Sequence, residues 1–167
     1  MTIAAIIVAA GRGTRAGSAQ PKQWHPLMGQ RVIDWTISAF LHHPDIHQIC
    51  VVLHPDDIDT ANLKDVIITT GGATRDASVK NGLGALAPYA PDHVLIHDGA
   101  RATISGAVIS DVIAALATHD AAAPALPVTD ALWTGEQGVV TGTRDRRGLY
   151  RAQTPQGFAF AKILNAH

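Results

Sequence analysis

Residues 3–15 read IAAIIVAAGRGTR: a run of eight apolar residues, four of them β-branched, leads into a turn that carries Gly11 and Gly13 and the cations Arg12 and Arg15. An apolar run of this length is too short to cross a bilayer, and with glycines at its end it reads as a strand buried on both faces. Such a strand needs helices above and below it, so strands and helices should alternate along the rest of the chain. They do. Further strand candidates are residues 48–53, 66–70, 93–97 and 122–128. Between them, apolar side chains fall at helical spacing in three stripes: Ile33, Ile37, Phe40 and Leu41; Val79, Leu83 and Leu86; and Val108, Val112, Ile113 and Leu116. The pattern predicts an α/β fold with a mainly parallel sheet, and 167 residues suit a single domain over 1–167.

In such sheets ligands collect beyond the carboxyl ends of the strands, so chemistry belongs in the loops that follow them. The first loop contains Gly11-x-Gly13-x-x-Ala16, a permissive form of the dinucleotide-binding fingerprint. That fingerprint needs a helix to start at the turn, yet Gly17, Pro21, Pro26 and Gly29 interrupt the following stretch. It also needs an acidic residue ending the second strand, where Leu53 is followed by His54 and Pro55. Nicotinamide binding is therefore disfavoured and stays only as the fold-level decoy. A triphosphate fits the loop better: glycines let backbone approach phosphate closely, and Arg15 and Lys22 add the positive charge that glycines lack. Nucleotidyl transfer asks little covalent work of a protein beyond positioning and charge stabilisation, for which Arg and Lys are suited. No Gly-Lys-Ser or Gly-Lys-Thr follows at the spacing of a Walker loop.

The remaining composition narrows the field. Thirteen basic and fourteen acidic residues give a net charge of −1, without the basic excess of a nucleic-acid surface. Cys50 is the single cysteine, so the chain can form no internal disulfide or thiolate cluster, and a reducing cytoplasm is expected. The first apolar run is too short for a membrane span and is followed by arginines rather than a cleavage site, so no membrane association is expected. Nine histidines show no metal-ligand spacing. Residues 132–140 predict a hairpin, Leu-Trp-Thr and Val-Val joined by Gly-Glu-Gln-Gly, in an arm over about 131–150. The charged run Arg144, Asp145, Arg146 and Arg147 reads as either solvated surface or part of a site.

Five segments, in order, carry a more specific likeness: 9–15 (AAGRGTR), 21–23 (PKQ), 71–79 (GGATRDASV), 94–101 (VLIHDGAR) and 153–158 (QTPQGF). Together the chain resembles the cytidylyltransferases of the non-mevalonate isoprenoid pathway, which act on 2-C-methyl-D-erythritol 4-phosphate. The resemblance implies a Rossmann-like three-layer nucleotidyltransferase fold with a projecting β-hairpin arm, and as substrates CTP and a small polyol phosphate. It implies that the backbone of Ala9, Ala10, Gly11 and Gly13 receives the triphosphate, and that Arg15 and Lys22 stabilise the transition state. Gly71, Gly72 and Ser78 would hold cytosine and ribose, with Asp98 and Gly99 completing the nucleotide site. Asp98, Arg101, Arg146 and Thr154 would serve the acceptor, Arg146 also as a catalytic cation. It further implies a homodimer built through the arm and Mg²⁺ held mainly by substrate phosphates, with no protein ligand assigned.

Three positions depart from the family pattern: Gly99 in place of Ala, Ala102 in place of Pro, and Ala131 in place of a Thr that touches the acceptor. Family members also continue well past the point corresponding to His167, so the chain as given is expected to be incomplete for full activity; fusion to a cyclodiphosphate synthase is one origin of such an end. Ribitol-phosphate cytidylyltransferases share similar motifs and are the closest alternative, followed by a catalytically silent nucleotide-binding module.

Overall fold

The computed structural model describes residues 1–13 and 20–167. In chain order the strands and helices are β1 (Ile3–Ala9), β2 (Pro26–Leu27), β3 (Gln30–Arg31), α1 (Val32–Leu41), β4 (Gln48–Leu53), β5 (Ile67–Thr70), α2 (Arg75–Leu86), β6 (His93–Asp98), α3 (Gly106–Leu116), β7 (Ala121–Ala122), β8 (Ala125–Pro127), β9 (Leu132–Glu136), β10 (Val139–Arg144), β11 (Tyr150–Ala152), β12 (Gln156–Ala159) and α4 (Phe160–Ala166). Six strands form the main sheet in the order β5-β4-β1-β6-β12-β7. The first four are parallel, while β12 runs antiparallel to both β6 and β7.

Strand β1 shows why three layers form. Its alternate residues Ile3, Ala5, Ile7 and Ala9 join one apolar core with Ile33, Ile37 and Phe40 of α1 and Ile109, Val112 and Leu116 of α3. Ala4 and Ile6 point the other way, into a second core with Val79, Leu83 and Leu86 of α2 and Phe160 of α4. Side chains alternate across a strand, so an unbroken apolar run feeds both cores at once. Cys50 on β4 lies within the second core, where burial pushes its thiol pKa up to about 12. Thr74 caps α2 by accepting from the Ala77 amide, and Ser105 caps α3 through the Val108 amide. Among the described residues no helix is long and apolar enough to cross a membrane.

Several expected elements take a different form. The strand expected over residues 122–128 is two short strands: β7 joins the main sheet, whereas β8 pairs with β11. Pro124 and Pro127 lack amide donors, so a continuous ladder cannot be built through them. The hairpin exists with longer strands and a tighter turn than Gly-Glu-Gln-Gly, because Gly135 and Glu136 belong to β9. Its two loop residues, Gln137 and Gly138, both have positive φ (49° and 82°), the geometry that matches the twist of a two-residue hairpin. Leu41, at the end of the first stripe, is 42% exposed, since α1 stops there and Phe40 is its last core residue. The small β2–β3 hairpin has no counterpart among the elements expected from sequence; Met28 and Gly29 at its tip also have positive φ.

Candidate functional site

The carboxyl ends of β1, β5 and β6 meet around Asp98. Beyond β1, Gly13 sits at φ +63°, a conformation that glycine adopts without steric cost. Lys22 lies alongside: a Cβ built on Gly13 would meet the Lys22 Cγ at 3.7 Å. Lys22 is exposed, and no acidic side chain among the described residues forms an ion pair with it. Its neighbour Gln23 is 5% exposed and donates from Nε2 to the carbonyls of Ala9 (2.8 Å) and Gly11 (3.1 Å), fixing the Lys22 turn to the glycine loop. A second tie runs through Asp57, which accepts from Arg12 Nη1 (2.9 Å) and from Trp24 Nε1 (2.9 Å). Arg12 also donates to Asp56 (2.6 Å) and to His54 Nδ1 (2.6 Å), so its charge is answered by two carboxylates. Arg15 lies outside the described residues.

The second glycine loop packs directly on the first. The Gly71 amide donates to the Leu53 carbonyl at 2.7 Å, and a Cβ on Gly71 would stand 2.3 Å from the Ala10 Cβ. Only glycine permits that approach. Ser78 is buried; its hydroxyl accepts from the Gly72 amide (3.1 Å) and donates to the Thr74 carbonyl (2.9 Å), so it holds the loop's shape. Ala10, Gly11, Gly72, Ser78 and Asp98 thus border one cavity of about 450 Å³. Ala9, Gly71 and Gly99 support its wall, Gly99 through an amide that donates to the Val8 carbonyl at 2.9 Å, while Gly13 stands beside Lys22.

Asp98 divides this cavity from a second one of about 570 Å³, which is lined by His97, Arg101, Gln153 and Thr154 among mostly apolar neighbours. One carboxylate oxygen of Asp98 accepts from Arg75 (3.2 Å) and the other from Arg101 (2.9 Å). Arg101 extends further, donating to the Gln153 side-chain carbonyl at 2.7 Å. His97 is fully buried beneath them and contacts both the Arg101 carbonyl (3.3 Å) and the Thr154 hydroxyl (2.9 Å). Burial pushes its pKa down and the Arg101 charge acts in the same sense, against the pull of the Arg101 carbonyl and of Asp98. Arg146 lines neither cavity; it donates to the Thr129 carbonyl near the base of the arm.

The structure therefore brings the nominated backbone and Asp98 together, sets Arg101 and Thr154 next door, and leaves Arg146 apart. It adds Gln23, Asp57, Arg75 and His97, which sequence reading does not nominate. His97 has a visible signal, a polar residue inside the apolar strand HVLIHD; Asp57 has none. Among the described residues no group of three or more His, Cys, Asp or Glu is placed to hold a metal ion.

A family model described as 2-C-methyl-D-erythritol 4-phosphate cytidylyltransferase matches residues 3–167. The chain is 55% identical to a protein of that name from Roseobacter denitrificans, covering 100% of this chain and 76% of the relative. It is 54% identical to a bifunctional enzyme IspD/IspF from Ruegeria pomeroyi, covering 100% of this chain and 45% of that relative, so the chain spans less than half the length of the longer protein. Among solved structures, the 2-C-methyl-D-erythritol 4-phosphate cytidylyltransferase of Thermus thermophilus superposes with a TM-score of 0.81 at 31% identity, over 100% of this chain and 75% of that one.

Proposed function

Since this chain belongs to the 2-C-methyl-D-erythritol 4-phosphate cytidylyltransferase family over residues 3–167, we propose that it transfers a cytidylyl group from CTP to 2-C-methyl-D-erythritol 4-phosphate, releasing pyrophosphate and forming 4-diphosphocytidyl-2-C-methyl-D-erythritol. The observation that carries this reading is the pair of adjoining cavities separated by Asp98, one walled by glycine-rich backbone and the other by hydrogen-bonding side chains.

In this reading CTP lies in the first cavity with its phosphates along Ala10 to Gly13, and the acceptor occupies the second. The acceptor's phosphate oxygen attacks the α-phosphorus in line; the new P–O bond forms as the bond to pyrophosphate breaks. The attacking oxygen is already ionised at neutral pH, so the reaction needs neither a nucleophilic side chain nor a general base. Lys22, next to Gly13 and without an ion-pair partner among the described residues, serves to stabilise charge on the phosphates, together with Arg15. Asp98 fixes Arg75 and Arg101 on either side of the reacting centre. Arg146, which lines neither cavity of its own chain, would be supplied by a second copy through the arm, whose Trp133, Val139 and Val140 are 68%, 67% and 55% exposed. Mg²⁺ fits only as an ion carried by the substrate phosphates, where it would neutralise charge, because Asp98 is the only carboxylate bordering the nucleotide cavity among the described residues and both its oxygens are paired with arginines. A cytoplasmic location accords with the lone, buried thiol.

The test is a pyrophosphate-release assay with CTP and either 2-C-methyl-D-erythritol 4-phosphate or ribitol 5-phosphate, paired with calorimetric titration of the four nucleoside triphosphates. CTP and the methylerythritol phosphate should be preferred, and Arg15→Ala or Lys22→Ala should each lower turnover by about a hundredfold or more. Preference for ribitol 5-phosphate, or undiminished transfer with both cations replaced, would overturn it.

A further inference from the structure

The second cavity contains a hydrogen-bond chain whose direction follows from the chemistry of its members. His97 sits at 0% exposure near the end of β6, its ring tilted against Phe40 with centroids 5.1 Å apart. Its Nε2 faces the carbonyl oxygen of Arg101 at 3.3 Å, and its Nδ1 faces the Thr154 hydroxyl oxygen at 2.9 Å. A carbonyl oxygen can only accept, so the Nε2 position must carry a proton. A second proton on Nδ1 would create a charged ring inside the apolar core. Burial disfavours that state, and so does the Arg101 guanidinium; Asp98 is the one facing group whose charge favours it, and it is already shared between two arginines. The ring is therefore neutral, with a lone pair on Nδ1, and Thr154 is the donor in the bond between them.

A threonine hydroxyl has one proton and two lone pairs. With its proton committed to His97, Thr154 offers the cavity only lone pairs. Resting on the cytidylyltransferase reading above, we infer that Thr154 acts towards the acceptor molecule solely as a hydrogen-bond acceptor, so that it binds a polyol hydroxyl and not the phosphate, with His97 as the positioning residue that fixes this polarity. An ionised phosphate oxygen has no proton to give Thr154, whereas a polyol hydroxyl has. Arg101 is complementary: a guanidinium has only donors, so it receives the oxygens that Thr154 cannot. The cavity wall thus sorts the two ends of a polyol phosphate by hydrogen-bond direction, and a substrate lacking the matching hydroxyl loses a contact that leaves a buried group unpaired.

Two measurements test this. A long-range ¹H–¹⁵N correlation spectrum of the labelled chain at neutral pH, with the His97 signals identified by their loss in His97→Gln, should show a protonated Nε2 and an unprotonated Nδ1. A protonated Nδ1 would overturn the inference whether or not the chain transfers cytidylyl groups, and if His97→Gln does not fold, the His97 signals are identified by their shift in Thr154→Val, which removes the partner of Nδ1. Calorimetry should then show that one deoxy analogue of 2-C-methyl-D-erythritol 4-phosphate binds the native chain about tenfold more weakly than the parent. Thr154→Val should erase that difference, Thr154→Ser should restore it, and binding of methyl phosphate should be unchanged by either. Equal loss of methyl phosphate and polyol phosphate binding in Thr154→Val would mean that Thr154 reads the phosphate, and would sink the inference alone. Failure of the native chain to bind any polyol phosphate would overturn the transferase reading and the assigned ligand with it, even with the Nε2 tautomer in place.

Discussion

The two cavities flanking Asp98 are made from different parts of the polypeptide. The nucleotide side is main chain brought close: Gly71 against Ala10, Gly13 in a left-handed turn, Ser78 spent on bracing the loop. The other side is a relay of side chains, from Gln153 through Arg101 to Asp98, with His97 and Thr154 beneath. A backbone wall discriminates by shape and fails when a carbon atom is added. A side-chain wall discriminates by donor and acceptor, and fails when a partner is removed or a proton is moved.

The contrast is broken most severely at Gly71. Gly71→Ala places a methyl group 2.3 Å from the Ala10 Cβ, and that contact can be relieved only by moving one glycine loop off the other. Overpacking of this kind costs about 1–3 kcal/mol of stability, and CTP affinity should fall by about a hundredfold because the cavity wall itself shifts. Calorimetric titration with CTP checks it; native affinity in the alanine variant would show that the loops are not held by contact. A smaller effect is expected for Gln23→Ala, which strips the side-chain donor from the Ala9 and Gly11 carbonyls. The loss is about 1–3 kcal/mol in stability and about tenfold in CTP binding, while affinity for the acceptor should not change. Equal losses for both ligands would show that the two walls are not independent.

The smallest effect sharpens the side-chain half. His97 has its pKa lowered in the folded chain, so on acidification the unfolded chain takes up a proton at the ordinary histidine value while the folded chain does not. Stability from this group is complete above that value and is lost as pH falls from it towards the lowered folded pKa. Thermal melts of the native chain should show this acid-side decline, and His97→Gln should show a shallower one; identical slopes would place the titration elsewhere.

The parts of the molecule legible from sequence are those whose determinants are local. Parallel strands buried on both faces announce themselves as apolar runs, and so β1, β4 and β6 can be read nearly to the residue; β6 extends one further, to Asp98. The antiparallel edge is not readable in the same way. Strand β7 has two residues and β12 four, and each is a strand only because of its partner. The arm is visible from its glycines, but Gly135 draws the turn too wide when Gln137 and Gly138 make it. The site divides along the same line. Glycines and Asp98 stand out in the loops, whereas Asp57 matters through partners 45 and 33 residues away and His97 through one 57 residues away. No local pattern encodes such pairings.

Gln23 has one more consequence. In a trans peptide the carbonyl and the next amide point in opposite directions, so holding the Ala9 and Gly11 oxygens towards Gln23 turns the N–H groups of Ala10 and Arg12 the other way. Two peptide dipoles are thereby aligned with their positive ends on the far side of the loop, a source of attraction for anions that carries no net charge and that no change of acidity can titrate away.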